Sequence, residues 1–145
     1  MAVRMTFDYQ NAKTILAKSI DNDARPIIIL EADDEDRKTL SSELFEQREN
    51  ILTIPLSDFL TGYVYSIEKQ ASLLNYSHII VDNVENLRGF SRTLKILSTF
   101  IDNMAYRNVS VIFMGNNNCY DMSEVIHISG SKIHYIIKIE PEERT

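Results

Sequence analysis

The sequence predicts an α/β fold: a five-stranded parallel sheet with helices on both faces, a three-layer α/β/α sandwich, in one domain spanning residues 1–145. Three observations lead there. Short, nearly continuous apolar runs at 27–30, 77–81 and 109–114 are too brief for helices and lack polar alternation, the pattern of strands buried on both faces. Between them, apolar residues recur at steps of three and four, the spacing of amphipathic helices. Strand and helix signals alternate along the chain, as they do where parallel strands are joined by crossover helices.

In order, residues 1–9 read as an irregular lead-in whose Phe7 tucks against the body. A helix over 11–20 places Ile15, Leu16 and Ile20 at helical spacing, and the Asp-Asn-Asp at 21–23 ends it. Pro26 opens the first strand, 27–30, whose β-branched residues suit a sheet centre. An acidic turn at 31–36 leads into a helix reaching residue 47, with Leu40, Leu44 and Phe45 on one face. The second strand, 50–54, halts at Pro55, and Ser57 or Asp58 caps a helix with Phe59, Leu60, Val64 and Ile67 on its apolar side. The third strand, 77–81, precedes the most regular helical stripe: Leu87, Phe90, Leu94, Leu97, Ile101 and Met104, which reads as core. The fourth strand, 109–114, gives way to a polar turn at 115–118 and a short segment around 122–126. The last strand, 133–139, carries His134 and Lys138, which suggest a sheet edge.

Composition narrows the function. With 145 residues the chain is long enough for one real core, and 15 basic against 21 acidic residues give a net charge of -6. That sign disfavours nonspecific attraction to nucleic acid or anionic membranes, and no stacking platform of aromatics interleaved with basic residues is visible. A single cysteine, Cys119, excludes an intrachain disulfide and a thiolate zinc cluster. His78, His127 and His134 lack metal-ligand spacing and read as structural. No apolar run is long enough to span a membrane and no signal-peptide pattern opens the chain, so a cytoplasmic protein is expected.

Chemistry is expected where Asp82 ends the third strand, because ligands of open parallel sheets sit outside the carboxyl ends of the strands. The turn after the first strand is the matching place for phosphate. A phosphate loop needs glycines so that backbone N–H groups can point inward. Residues 32–39, Ala-Asp-Asp-Glu-Asp-Arg-Lys-Thr, end in the right Lys38-Thr39 pair but hold four carboxylates and no glycine. A carboxylate about 5 Å from a phosphate charge costs roughly 3 kcal/mol at an effective dielectric near 20. The same acids are favourable at a helix N-terminus, so the chain's own carboxylates are expected to fill the niche a nucleotide would take.

These features resemble the nucleotide-binding subdomain of the bacterial replication initiator DnaA and its Hda-type regulators, a branch of the AAA+ ATPases. Thr6-Phe7-Asp8 is similar to that family's lead-in and 26–30 to its first strand. Residues 54–60, Ile-Pro-Leu-Ser-Asp-Phe-Leu, resemble the strand and helix after the phosphate loop, 77–87 the Walker B strand, 112–116 the sensor I strand, and 135–145 the subdomain's end. The resemblance implies a P-loop NTPase-like strand order 5-1-4-3-2 and a nucleotide site at Lys38, Thr39, Asp82 and Asn116.

The departures from that pattern are as informative. Asp82 matches the acid that helps hold Mg²⁺, but Asn83 stands where a second acid would activate water and cannot accept a proton. Lys132 occupies the region of the family's arginine finger and is a poor substitute for a bidentate guanidinium. The helical lid and the DNA-reading helix-turn-helix would lie beyond Thr145. The expectation is a noncatalytic protein-interaction or regulatory module without a required cofactor, acting on DnaA or another AAA+ replication protein. An ATP- and Mg²⁺-binding ATPase is the alternative. A second resemblance, to response-regulator receivers, rests on residues 27–34, Asp82 and Lys138. It implies Asp33, Asp34 and Asp82 around a divalent ion, with Asp82 as phosphoacceptor; Gly115 departs from it, where a receiver has Ser or Thr.

Overall fold

The apolar runs do become the middle of a parallel sheet. In the computed structural model, which describes residues 3–22, 26–57, 67, 69, 75–84, 91–116 and 135–140, the strands are β1 (Val3–Phe7), β2 (Ile28–Glu31), β3 (Ile51–Pro55), β4 (His78–Asp82), β5 (Ser110–Gly115) and β6 (Tyr135–Ile139). They form one six-stranded sheet in the order β1-β6-β2-β5-β4-β3, every pairing parallel.

Two sequence expectations are thereby corrected. The sheet has six strands rather than five, because the lead-in at 1–9 contains β1, registered with Val3 opposite Tyr135 and Phe7 opposite Ile139. Val3, Met5 and Phe7 alternate with Arg4 and Thr6, and Met5 and Phe7 pack on the core while Arg4 and Thr6 are exposed, so a half-buried edge strand forms. The last strand is consequently interior, between β1 and β2, and Lys138 is half-buried there. With β1 set aside, the remaining order β6-β2-β5-β4-β3 is the one the first resemblance implies. A receiver places its first strand between its second and third. Here β2 lies between β6 and β5, so the receiver topology is not the one found.

Alternate residues of each central strand serve opposite cores, which is why the strands read as unbroken apolar runs. Ile29, Val81, Phe113 and Ile136 face Leu97, Phe100, Ile101 and Met104 of helix α3 (Ser91–Tyr106), confirming that half of the long stripe as core. Leu87, Phe90 and the side chain of Leu94 lie outside the described residues, as do Phe59, Leu60, Val64, the segment 122–126, Cys119, Lys132, His127 and His134. On the other face Ile28, Leu30, Ile80, Ile112 and Ile137 meet Leu16 and Ile20 of α1 (Tyr9–Ile20) and Leu40 of α2 (Asp34–Leu40). Helix α2 continues as a π-helical turn, Ser41–Phe45, that adds Leu44 and Phe45. Helices on both faces make the three layers.

Local chemistry sets the boundaries. Asp8 caps α1 by accepting the Asn11 N–H at 2.8 Å, two residues earlier than the helix read from hydrophobic spacing. Pro55, without an N–H, is tolerated as the last residue of β3 because that strand is an edge. His78 starts β4 at 1% exposure, its Nδ1 2.8 Å from the Ser77 hydroxyl, at the sheet end opposite Asp82. That placement makes it a structural histidine.

Candidate functional site

Helix α2 follows β2 onto one face of the sheet and α3 follows β4 onto the other. Divergent connections of this kind open a crevice at the carboxyl ends of the strands. Around it stand Glu31, Asp82 and Gly115, with Asn116 directly after β5.

Only Ala32 and Asp33 separate β2 from α2. The Ala32 N–H donates to the Gly115 carbonyl at 2.9 Å, so strand pairing runs up to the cap itself. The Asp33 carboxylate then accepts the Asp36 N–H at 2.7 Å, and its carbonyl accepts the Arg37 N–H at 3.0 Å. Asp34, Glu35 and Asp36 complete an acidic first turn that suits the positive end of the helix. The acidic stretch is therefore mostly helix rather than turn. Between strand and helix no loop intervenes in which successive N–H groups could fold inward around an anion.

Lys38 and Thr39 do not converge on Asp82. Lys38 is exposed, and the Thr39 hydroxyl donates back to the Glu35 carbonyl at 2.9 Å. The side chain from α2 that does reach Asp82 is Arg37, only 4% exposed. Its Nε lies 3.4 Å from Asp82 Oδ1, its Nη1 donates to the Ala32 carbonyl at 3.3 Å, and its Nη2 is paired with Asp34. Asp82 also accepts the Asn83 N–H at 2.8 Å, while the Asp82 carbonyl accepts the Leu56 N–H at 2.8 Å. Asn83 sits at φ 62°, a left-handed conformation that asparagine tolerates better than most residues.

Sequence reasoning passed over Arg37, and two signals could have found it. Arg37, Leu40 and Leu44 stand at i, i+3 and i+7, one helical face, and the last two are core. Moving the phosphate-loop window one residue earlier, to 31–38, also puts Arg37 where that pattern has lysine. Of the three acids expected around a divalent ion, Asp34 and Asp82 meet at Arg37, whereas Asp33 is engaged in capping. Among the described residues no group of three or more His, Cys, Asp or Glu side chains is arranged to hold a metal.

Glu31 points to the opposite face from Asp82, toward the side that holds Ile29, and is opposite Gly115 and Lys138 in the register. Burial raises its carboxyl above the usual range, opposed by the charges of Arg4 and Lys138. Among the described residues, concavities also lie away from this crevice, including a trough of about 770 Å³ along α1 that includes Lys13 and Lys18, and a cleft of about 440 Å³ between α1 and the sheet lined by Met5, Ile15, Tyr135 and Ile137.

No family model and no curated protein matches the chain. Solved structures do. A crystal structure of a DNA replication initiation factor superposes over 92% of this chain with a TM-score of 0.63 at 12% identity. AMPPCP-bound DnaA from Aquifex aeolicus covers 94% of the chain with a TM-score of 0.63 at 14% identity. The fold is that of a DnaA-like AAA+ domain. Domain III of Thermotoga maritima DnaA, with a TM-score of 0.60 at 13% identity over 92% of this chain, agrees. The chain spans 46%, 48% and 63% of the lengths of these three structures. In open parallel sheets ligands are sought outside the carboxyl ends of the strands, and the crevice there holds Asp33 and Arg37. Among the described residues no helix is long and apolar enough to cross a membrane.

Proposed function

We propose that this DnaA-like domain is a noncatalytic module that works by docking on a replication protein of related fold, such as DnaA itself. One observation carries the reading: the Asp33 carboxylate caps α2 at the position where a phosphate would need the helix N-terminus, with three more acids in the same turn. An anionic triphosphate entering there would displace a made hydrogen bond and meet like charge. The chain has Asn83 beside Asp82, so the residue that would deprotonate water in an ATPase is also replaced by one without a basic carboxylate. A fold kept without these parts retains value as a surface, and the solved DnaA structures supply the replication setting for the partner.

The test is a pair of titrations. Calorimetry with ATP and Mg²⁺ should give no binding heat, whereas a purified DnaA-family ATPase immobilised on a sensor surface should capture the chain. ATP binding that is lost on changing Lys38 or Asp82 would replace this reading with the nucleotide-binding one. That alternative draws on the AMPPCP bound to the Aquifex aeolicus structure. Failure of a DnaA-family ATPase to bind the chain would remove the docking partner named here.

A further inference from the structure

We propose that Arg37 is a built-in cation: its guanidinium takes the place at Asp82 that a divalent metal ion would take, fixing the crevice without magnesium and closing it to magnesium. The inference goes beyond the docking reading and holds whether or not a partner is found.

A DnaA-like fold implies a magnesium ion at the strand-end acid, and that acid here is Asp82. Magnesium sits about 2.1 Å from a carboxylate oxygen and keeps a near-octahedral shell of further oxygens and waters. The Arg37 Nε is 3.4 Å from Asp82 Oδ1, inside the volume such a shell would fill. The same Oδ1 also accepts the Asn83 N–H, and the Asp82 backbone carbonyl accepts the Leu56 N–H.

Arg37 is held there from its own side as well. It is 4% exposed, its Nη1 donates to the Ala32 carbonyl, and Asp34, three residues earlier in the same helix, pairs with its Nη2. A guanidinium stays charged at any accessible pH, so it cannot give way to a metal by losing a proton. Leaving would instead strand a buried charge, which is costly once its partner is gone. Asp34 and Asp82, the carboxylates that would serve an ion, thus each turn one oxygen to a fixed cationic side chain, and the residues present do not fit magnesium.

The full chain tests this with manganese alone, followed by the electron paramagnetic resonance signal of the free ion. Wild-type protein should leave the signal unchanged into the millimolar range and melt at the same temperature in EDTA and in magnesium. Arg37→Met, similar in length and uncharged, should raise manganese affinity about tenfold or more. Its melting point should become magnesium-dependent, and adding Asp82→Asn should abolish both effects. Manganese binding by the wild type that Asp82→Asn removes would overturn the proposal, as would an Arg37→Met protein no better at binding manganese than the wild type. If Arg37→Met does not fold, Asp82→Asn alone decides: it should lower the melting point by leaving the guanidinium without its partner, and an unchanged melting point overturns the idea.

Discussion

Arg48 and Asp21 join the end of α1 to the segment behind the π-helical turn through two parallel hydrogen bonds, Nε to Oδ1 at 3.1 Å and Nη2 to Oδ2 at 2.9 Å. Arg48 Nη1 also donates to the Leu44 carbonyl at 3.1 Å. One side chain therefore ties together two helices that pack on the same face of the sheet.

The two ends of this link should not be equivalent. Asp21 is 61% exposed on its side chain, so Asp21→Asn should cost no more than about 1 kcal/mol of unfolding free energy. Arg48→Ala should cost more, because it also releases the Leu44 carbonyl. The hydrogen bonds from Arg48 hold the Asp21 carboxyl below its usual range. A depressed folded value means that stability is present above the ordinary aspartate range and is lost as pH falls through the folded value. Urea unfolding from neutral pH to strongly acid pH should show a step that Asp21→Asn removes.

Tyr9 should titrate late. Burial, then the charge and hydrogen-bond acceptance of Glu43, push its phenol up to about 12. In the unfolded chain it ionises near the ordinary tyrosine value of about 10. The fold keeps the proton longer, so stability is full below the unfolded value and falls as pH rises through the window between the two. The ultraviolet difference between wild type and Tyr9→Phe should show one phenol ionising well above the ordinary tyrosine value. Glu43→Gln should bring the Tyr9 value back toward normal, because it removes the carboxylate whose charge raises it.

Asp33 gives a direct measure of the cap. Asp33→Ala should destabilise the protein by about 1 kcal/mol, and Asp33→Asn should recover most of that loss, since asparagine caps nearly as well. Chemical denaturation of the three proteins checks the order. A loss confined to α2 would show as faster amide hydrogen exchange in 34–40 than in β4.

Glu31 should respond in the opposite sense to Asp21. Its carboxyl is raised by burial, so the fold favours the neutral form and the charged form costs stability as pH rises through that range. Glu31→Gln should raise the melting temperature at neutral pH, since it removes a carboxylate that burial disfavours. At pH 4 the advantage should vanish. Lys138→Met should deepen the penalty at neutral pH by removing one of the two opposing charges.

Burial on both faces made β2, β4 and β5 legible, because Ile29, Ile80 and Phe113 leave no polar alternation to confuse with a helix. The edge was harder to read. Val3, Met5 and Phe7 alternate over only five residues, and their pairing depends on β6, far away in the chain. At the site, Asp82 was legible from its place at a strand end, whereas Arg37 was hidden in a run of charged residues where only tertiary position separates a buried guanidinium from a solvated one. Asp33 was seen as an acid suited to a helix N-terminus, but its role as the single capping residue depends on the backbone turning after Ala32, which composition does not specify. Lys38 and Thr39 look right as a pair and face the wrong way, since a helix that starts at Asp34 turns Arg37 and Leu40 inward and leaves the two residues between them off that face.

The outermost strand has a consequence for how the protein is made. Among the described residues β1 pairs with the sheet through β6 alone, with Val3 opposite Tyr135, so that partner is missing while the ribosome is still building the intervening segments. Long-range parallel pairing of this kind is slow and leaves an unsatisfied ribbon exposed until the far partner emerges. Closure of the sheet during synthesis therefore waits for its penultimate position to be filled, and deleting β6 should release the amino-terminal segment as well.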